Sequence, residues 1–381
     1  MTSFVFMKNR IGIVGGGQLG KMMALPAKSM GFTVTVVDPT PQSPAGQCVD
    51  REITGGYSDA EATRKLAEVS DFITVEIEHI NTDALAEVAK KGTPVNPSPK
   101  TIDVIKNKFA QKEFLAKAGI PVAPYLAVES KTDIVNAAKK FGYPFLLKAR
   151  FDAYDGRGNA LIKKPADIDT ALEKFGNREL YVEKFVPFVK ELAIMIARST
   201  DGDIVPYPIV ETIHKNNILH LTIAPARVDK KIADKAKKFA IKTMEHLHGA
   251  GVFGIEMFLT QNNDVLINEI APRVHNSGHY TEEACATSQF EQHIRAITGL
   301  PLGGAGMVVP AAVMVNILGE RVGPVDVKGM DKVLAIPGAY VHIYGKKDTK
   351  PERKMGHITV IGDKIEDVLK KAIKARKLLT I

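Results

Sequence analysis

A glycine-rich turn behind the first apolar run constrains this chain more than any other feature. Residues 10–14 read as a strand, and Gly15-Gly16-Gly17-Gln18-Leu19-Gly20 follows at once. A helical pattern over 19–30 begins inside the turn, and a β-branched strand over 33–38 ends in Asp38, 18 residues past Gly20. Strand, G-x-G-x-x-G turn, helix and a second strand closing on an acid make the dinucleotide-binding fingerprint. Its glycines let the backbone approach a phosphate or sugar at a helix N-terminus. Alone, the turn points to an NAD enzyme; a tight strand-to-helix turn is the bland alternative. The alternation continues with a helix over 59–70, a strand over 72–76 and a helix over 81–91, which predicts a parallel α/β sheet. Pro26 falls inside the first helix, where it should kink the axis.

Gly92-Thr93-Pro94-Val95-Asn96-Pro97-Ser98-Pro99 interrupts this pattern and marks a domain boundary. Residues 1–102 are therefore expected as an N-terminal Rossmann-like domain. A helix over 101–118 ends at Gly119. Strands and a helix over 165–175 then surround Tyr154-Asp155-Gly156-Arg157-Gly158. A long helix over 229–248 precedes a hairpin, 252–259 with 265–270, turned by Gln261-Asn262-Asn263-Asp264. Past Gly299 the runs become short and β-rich, closed by a helix from about 364. This predicts a central domain over 103–300 and a small β-rich domain over 301–381. A chain of 381 residues has room for several such cores.

Composition removes whole classes. With 45% hydrophobic and 25% charged residues, disorder is excluded as the main state. The longest apolar run, 308–315, contains Pro310 and is too short to span a membrane. The N-terminus lacks a basic n-region and an extended apolar stretch, so no signal peptide is read. Only Cys48 and Cys285 occur, which excludes a disulfide framework and a Cys-rich zinc site, and a reducing cytoplasm is expected. The net charge of +8 suits phosphorylated small molecules, because the basic clusters 229–242 and 346–354 lack the aromatic interleaving of a nucleic-acid binder.

Two carboxylates stand in apolar strands: Glu256 within 252–259 and Glu269 within 265–270. A carboxylate there is costly unless paired or holding a metal. On neighbouring strands the two suit a hard cation such as Mg²⁺, with ion-paired core acids as the alternative. Adjacent strand residues face opposite ways, so Asn268 and Glu269 could share a metal only at a strand end. Lys148 ends the apolar strand Phe145-Leu146-Leu147, aimed at a phosphate or merely snorkelling. Asp155-Gly156-Arg157-Gly158 offers backbone donors suited to closing over phosphates, or an ordinary hairpin turn.

In order along the chain, Lys108, Lys148, the loop 154–159, Glu183-Lys184-Phe185-Val186, Glu191, Glu256 and Asn268-Glu269 resemble an ATP-grasp enzyme. More closely, the turn 15–20, Tyr154-Asp155-Gly156-Arg157-Gly158-Asn159, the run 268–279 (Asn-Glu-Ile-Ala-Pro-Arg-Val-His-Asn-Ser-Gly-His) and Arg353-Lys354-Met355-Gly356-His357 resemble the N5-carboxyaminoimidazole ribonucleotide synthetase family of purine biosynthesis. The resemblance covers nearly the whole chain. It implies an α/β (in part α+β) ATP-grasp fold: the N-terminal Rossmann-like domain, the central domain with a mobile lid at about 122–184, and the C-terminal β-rich domain.

The same resemblance implies roles. Lys108 and Lys148 would contact ATP phosphates, under the loop of Tyr154, Asp155, Gly156, Arg157, Gly158 and Asn159. Glu183 with Lys184, Phe185 and Val186 would read adenine, Glu191 with His214 would take the ribose, and Glu256 and Glu269, assisted by Asn268, would bind Mg²⁺. Gln18, Leu19, Glu76, Tyr154, Asp155, Arg157, Arg273, His275 and Asn276 would surround aminoimidazole ribonucleotide, with Lys347 and Arg353 on its phosphate. The implied reaction carboxylates the exocyclic amine with bicarbonate at the expense of ATP, through carboxyphosphate. Arg273 would hold bicarbonate, and Asp155 or the released phosphate would accept the amine proton. A homodimer is implied, without nucleic acid or membrane as partner. Two departures stand out: Asp152-Ala153 replaces a family Gly-Gly, and Glu269-Ile270-Ala271 lacks the Asn found two residues beyond this Glu in the wider superfamily. The alternatives are another ATP-grasp carboxylate–amine ligase, such as a formate-dependent glycinamide ribonucleotide transformylase, an NAD oxidoreductase, or a regulator without turnover.

Overall fold

Strands Arg10–Val14, Thr33–Asp38 and Phe72–Val75 are almost continuously apolar or β-branched, the composition of strands buried on both faces. In the computed structural model, which describes residues 8–151 and 158–381, they pair in parallel with a fourth strand, Arg51–Thr54, that the sequence pattern missed. That edge strand has no fully buried residue, so it carries no hydrophobic period to detect. The first helix, Gln18–Ser29, runs through Pro26 without ending there. Asp59 caps the next helix, Ala60–Glu68, accepting from the amides of Glu61 and Ala62.

The helix expected over 101–118 is two helices, Pro99–Lys106 and Lys108–Lys117. Asn107 adopts an extended backbone between them, and its side chain caps the second through the amides of Phe109 and Ala110. The Lys108 amide turns aside to donate to Arg150 O at 2.8 Å. Capping by Asn competes with helix propagation, and here it wins.

Residues 125–184 form a small unit of their own. Four antiparallel strands in the order Tyr125–Val128, Leu180–Lys184, Phe145–Ala149, Asn159–Ile162 pack Phe145, Leu147 and Val182 against helices Lys131–Phe141 and Asp167–Phe175.

Among the described residues, nine further strands make one antiparallel sheet. It runs from the hairpin Gly251–Thr260 and Val265–Ala271 through Phe188–Arg198, Val210–Lys215 and Ile218–Ala224. It then continues into Ala311–Leu318, Lys354–Gly362 and Ala339–Ile343. The β-rich C-terminal segment thus extends the central sheet, through Leu221–Ala224 beside Ala312–Val315. Helix Ile365–Leu378 covers this end, burying Val368, Ala372 and Ala375 against Val313, Val315 and Val360. No helix is long and apolar enough to cross a membrane, among the described residues.

Candidate active site

The glycine turn comes first in building the site, because its amides are already spoken for. The Glu76 carboxylate accepts from the Gly17 amide at 2.7 Å and also from the Gly20 amide, filling the anion position at the helix N-terminus. A Cβ at Gly17 would lie 2.3 Å from Glu76 Oε1, so only glycine admits that carboxylate. Asp38, the expected ribose ligand of a dinucleotide, instead accepts from the Gly16 amide (2.9 Å), the Thr40 amide (2.8 Å) and the Tyr57 hydroxyl (3.0 Å). Both anchor points of an NAD site are thus used internally. Gln18, Leu19 and Glu76 nevertheless line the same cavity as the chemistry downstream.

That cavity, of about 1130 Å³, lies between the small four-stranded unit, the large sheet and the glycine turn. On its wall Glu256 and Glu269 stand directly opposite in the antiparallel register. The register then shifts, Met257 pairing with Ile267, so Asn268 is an extra bulged residue. Its effect is on side-chain parity. Val265 and Ile267 face the core, and so does Ile270, which leaves Asn268 and Glu269 together on the cavity side. Asn268 and Glu269 were expected to face one ligand only at a strand end; here a bulge inside the strand brings both to the cavity side. Burial and the charge of Glu269 raise the Glu256 carboxyl, the environment in which a bound cation is favoured. Carboxylates plus an amide oxygen are a hard donor set and fit a divalent ion of the Mg²⁺ kind.

Cations converge on these acids. Lys108, aimed by the helix break at Asn107, pairs with Glu269 at 2.5 Å. Lys148 pairs with Glu183 at 3.3 Å, and Glu183 is also paired with Lys112 at 2.8 Å. Burial would raise the Glu183 carboxyl, but these two lysines hold it below the usual range. Its carboxylate is therefore engaged by two lysines while it lines the cavity. Gly158, Asn159, Phe185, Glu191 and His214 also line the cavity, and His214 Nδ1 meets Glu191 Oε2. Phe188 and Phe258 stack at 4.7 Å and add an apolar side. Lys184 and Val186 lie on the same segment without entering the wall.

Arg273, His275 and Asn276 follow the hairpin into the same space. Arg273 Nε donates to Glu78 Oε2 at 2.8 Å, and burial of Glu78 is outweighed by Arg273 and Lys108, which bring its carboxyl down to about 2. Burial and the Arg273 charge depress His275 to about 3, so it is neutral. Asn276 exchanges two hydrogen bonds (3.0 and 2.7 Å) with the fully buried Asn316. Glu282, His342 and His357 gather behind this wall, but the two rings stack at 4.4 Å and 7° and cannot aim both nitrogens at one ion.

The segment 344–354 supplies another part of the cavity wall. Lys347 and Arg353 line it as expected, yet Lys347 is exposed at the rim while Lys346 is half-buried. Burial, then Arg353, brings Lys346 down to about 8. Two contacts tie this segment to the N-terminal domain: Lys21 Nζ donates to Tyr344 O (3.3 Å) and Gln47 Nε2 to Gly345 O (2.7 Å). Gly345 has φ +87°, and a Cβ there would strike Gln47 Oε1 at 2.4 Å.

Of the expected residues, Lys108, Lys148, Gly158, Asn159, Glu183, Phe185, Glu191, His214, Glu256, Asn268, Glu269, Gln18, Leu19, Glu76, Arg273, His275, Asn276, Lys347 and Arg353 share one cavity. Tyr154, Asp155, Gly156 and Arg157, with Asp152 and Ala153, lie outside the described residues. Lys112, Glu78 and Lys346 were missed. Spacing could have found Lys112, four residues after Lys108 on the same helix. An acid just past a buried strand could have found Glu78.

Comparison with known proteins matches this geometry. A ribonucleotide synthetase preATP-grasp domain matches residues 7–106, an ATP-grasp domain matches 113–290, and a phosphoribosylaminoimidazole carboxylase C-terminal domain matches 312–371. The chain is 47% identical over 365 residues to phosphoribosylaminoimidazole carboxylase of Ogataea methanolica, covering 94% of this chain and 67% of that one. It spans about two thirds of the length of the fungal carboxylases it matches. To N5-carboxyaminoimidazole ribonucleotide synthase of Bacillus subtilis it is 45% identical over 349 residues, covering 92% and 90%. Among solved structures, N5-carboxyaminoimidazole ribonucleotide synthetase from Thermotoga maritima superposes with a TM-score of 0.89 at 48% identity, covering 98% and 99%. The Aspergillus clavatus synthase in complex with ADP and 5-aminoimidazole ribonucleotide does so with 0.90 at 38% identity, covering 97% and 98%.

Proposed function

The chain belongs to the N5-carboxyaminoimidazole ribonucleotide synthetase family, and from that premise we propose that it carboxylates the exocyclic amine of 5-aminoimidazole ribonucleotide with bicarbonate, converting ATP to ADP and phosphate. The observation that carries this reading is the single cavity joining three groups of residues. These are the acids Glu256 and Glu269 with Lys108 and Lys148, the Arg273–His275–Asn276 wall, and the cations Lys346 and Arg353, all lining one space.

Bicarbonate oxygen attacks the γ-phosphorus, the bond to ADP breaks, and carboxyphosphate forms. Lys148 and Lys108 neutralise charge on the transferring group. Glu256, Glu269 and Asn268 would hold Mg²⁺, which supplies charge neutralisation on the phosphates when bound. Arg273, whose Nε–Nη2 edge is held by Glu78 and whose Nη1 also donates to Val274 O, would keep its outer Nη1–Nη2 hydrogens for bicarbonate. Carboxyphosphate gives CO₂ and phosphate, and the amine attacks CO₂ to give the carbamate. Its proton leaves to the released phosphate or to Asp155. Phe188, Phe258 and Phe185 line the side suited to adenine, with the backbone after Glu183 reading its edge, because the Glu183 carboxylate serves Lys112 and Lys148. Glu191 and His214 take the ribose. Lys346 and Arg353, with Lys347 at the rim, take the phosphate of the ribonucleotide. The reading includes a homodimer, testable by sedimentation.

The deciding measurement is ADP formation with MgATP and bicarbonate, with and without 5-aminoimidazole ribonucleotide. Strong stimulation accompanied by loss of the free amine supports the reading. Turnover indifferent to this ribonucleotide but stimulated by glycinamide ribonucleotide with formate would overturn it.

A further inference from the structure

His275 and His279 flank a short turn, Asn276–Gly278, at the cavity wall. Their proton positions follow from partners whose own roles are unambiguous. Gln289 opens helix Gln289–Thr298, is fully buried, and presents its amide to this turn. The His275 N–H can only donate, so the atom it meets at 2.9 Å is Gln289 Oε1. The His275 carbonyl can only accept, so the atom it meets at 2.8 Å is Gln289 Nε2. The second hydrogen on Nε2 is then left for His279 Nδ1, at 3.2 Å. That hydrogen requires a lone pair on Nδ1, so a neutral His279 carries its proton on Nε2.

The surroundings are built around this amide. Gln289 N donates to Thr281 Oγ1 (2.9 Å), which donates in turn to Gly278 O (2.7 Å). A Cβ at Gly278 would lie 2.5 Å from Gln289 Oε1 and 2.5 Å from Met195 Cγ, so glycine is what admits the amide. His279 is 1% exposed and lines the cavity, and no hydrogen bond engages its Nε2 among the described residues. Burial holds the ring well below the usual histidine range. The titratable and charged groups acting on it are His275 on its own turn, His342, His357 and Lys354 from the C-terminal strands, and Arg273, with Tyr344 against its edge.

We propose that Gln289 is a positioning residue that locks His279 as a neutral Nε2–H donor, and that His279 offers this N–H to the pyridine-type ring nitrogen of the aminoimidazole. The assignment of the acceptor rests on the function proposed above; the tautomer does not. The chemistry favours a neutral donor. An imidazolium would tend to pass its proton to the heterocycle and withdraw electrons from the amine that must attack CO₂, whereas a neutral N–H orients the ring and leaves the amine nucleophilic.

The test uses solid-state ¹⁵N spectra of the histidine-labelled, ligand-free enzyme, with the His279 signals identified by their loss in His279→Asn. The expected wild-type spectrum has a bare Nδ1 and a protonated Nε2; protonation at Nδ1 overturns the proposal, whatever any variant does. Gln289→Met and Gln289→Glu are expected to release that lock. Both should raise KM for the ribonucleotide about tenfold, the order of one hydrogen bond, with KM for ATP within about twofold. Gln289→Glu should also add an acid limb to kcat/KM as an imidazolium becomes accessible. Folded variants with wild-type ribonucleotide KM overturn the positioning role. A wild-type enzyme with the expected tautomer but no response to the ribonucleotide sinks the acceptor and the functional reading together, leaving the lock itself in place.

Discussion

Lys346 differs from Lys347 by one position and by much of its environment. Half-buried beside Arg353, it loses its proton near pH 8, and Lys347 stands in solvent. On the proposed function a dianionic phosphate would be held by the protonated amine, so kcat/KM for the ribonucleotide should fall as pH rises through about 8 in the free enzyme. In Lys346→Arg, whose guanidinium stays charged, that alkaline limb should disappear from the pH profile. Lys346→Met should raise KM for the ribonucleotide by at least about tenfold at pH 7, against less than about threefold for Lys347→Met. Equal effects from the two would return the role to Lys347. Sequence alone could not separate two adjacent lysines, because the loop before them is held by Lys21 and Gln47, more than 290 residues away along the chain, and Lys346 Nζ turns in to donate to Lys354 O.

Strand Val265–Ala271 makes the same point at the level of an element. Its alternation is legible, as is its hairpin partner, and the two carboxylates were visible as acids in apolar runs. The bulge was not, since an extra residue leaves no mark on a short hydrophobic pattern. Deleting Asn268 should restore regular pairing, Ile267 beside Met257 and Glu269 beside Glu256, and keep Glu269 on the cavity side because Ile267 and Ile270 retain their core parity. ATP turnover should then fall by about the same factor as in Asn268→Ala, since each variant removes only the Asn268 amide from the cavity. Circular dichroism and a thermal melt would establish that both variants remain folded. A deletion variant at least about 100-fold less active than Asn268→Ala would refute the parity argument. The break at Asn107 was hidden for a related reason: helical periodicity runs across it, and only the Asn cap, with Lys108 turning to Arg150, interrupts the ladder.

Across the whole molecule, the N-terminal parallel sheet could be read from alternation because its connections are local. The C-terminal segment could not, for it joins the central sheet through strands nearly a hundred residues apart, such as Leu221 beside Val315. Removing residues 301–381 should therefore do more than trim a module. It strips the neighbour from Ile218–Ala224 and opens the core of Leu221, Ile223, Val313 and Val360. The truncated chain should aggregate or melt well below the full chain, by on the order of 10 °C or more, in differential scanning fluorimetry. A soluble truncation with native melting would show the segment to be independent. The tethers from Lys21 and Gln47 then take on a metric meaning. With Tyr344 and Gly345 pinned to the glycine-turn domain, and Arg273 tied to Glu78 of the same domain, the proposed site would act as a gauge, a caliper set for a heterocycle, one sugar and one phosphate. On that proposal a base without its sugar phosphate would touch one jaw only, and a ligand stretched by an extra phosphate would overshoot the other.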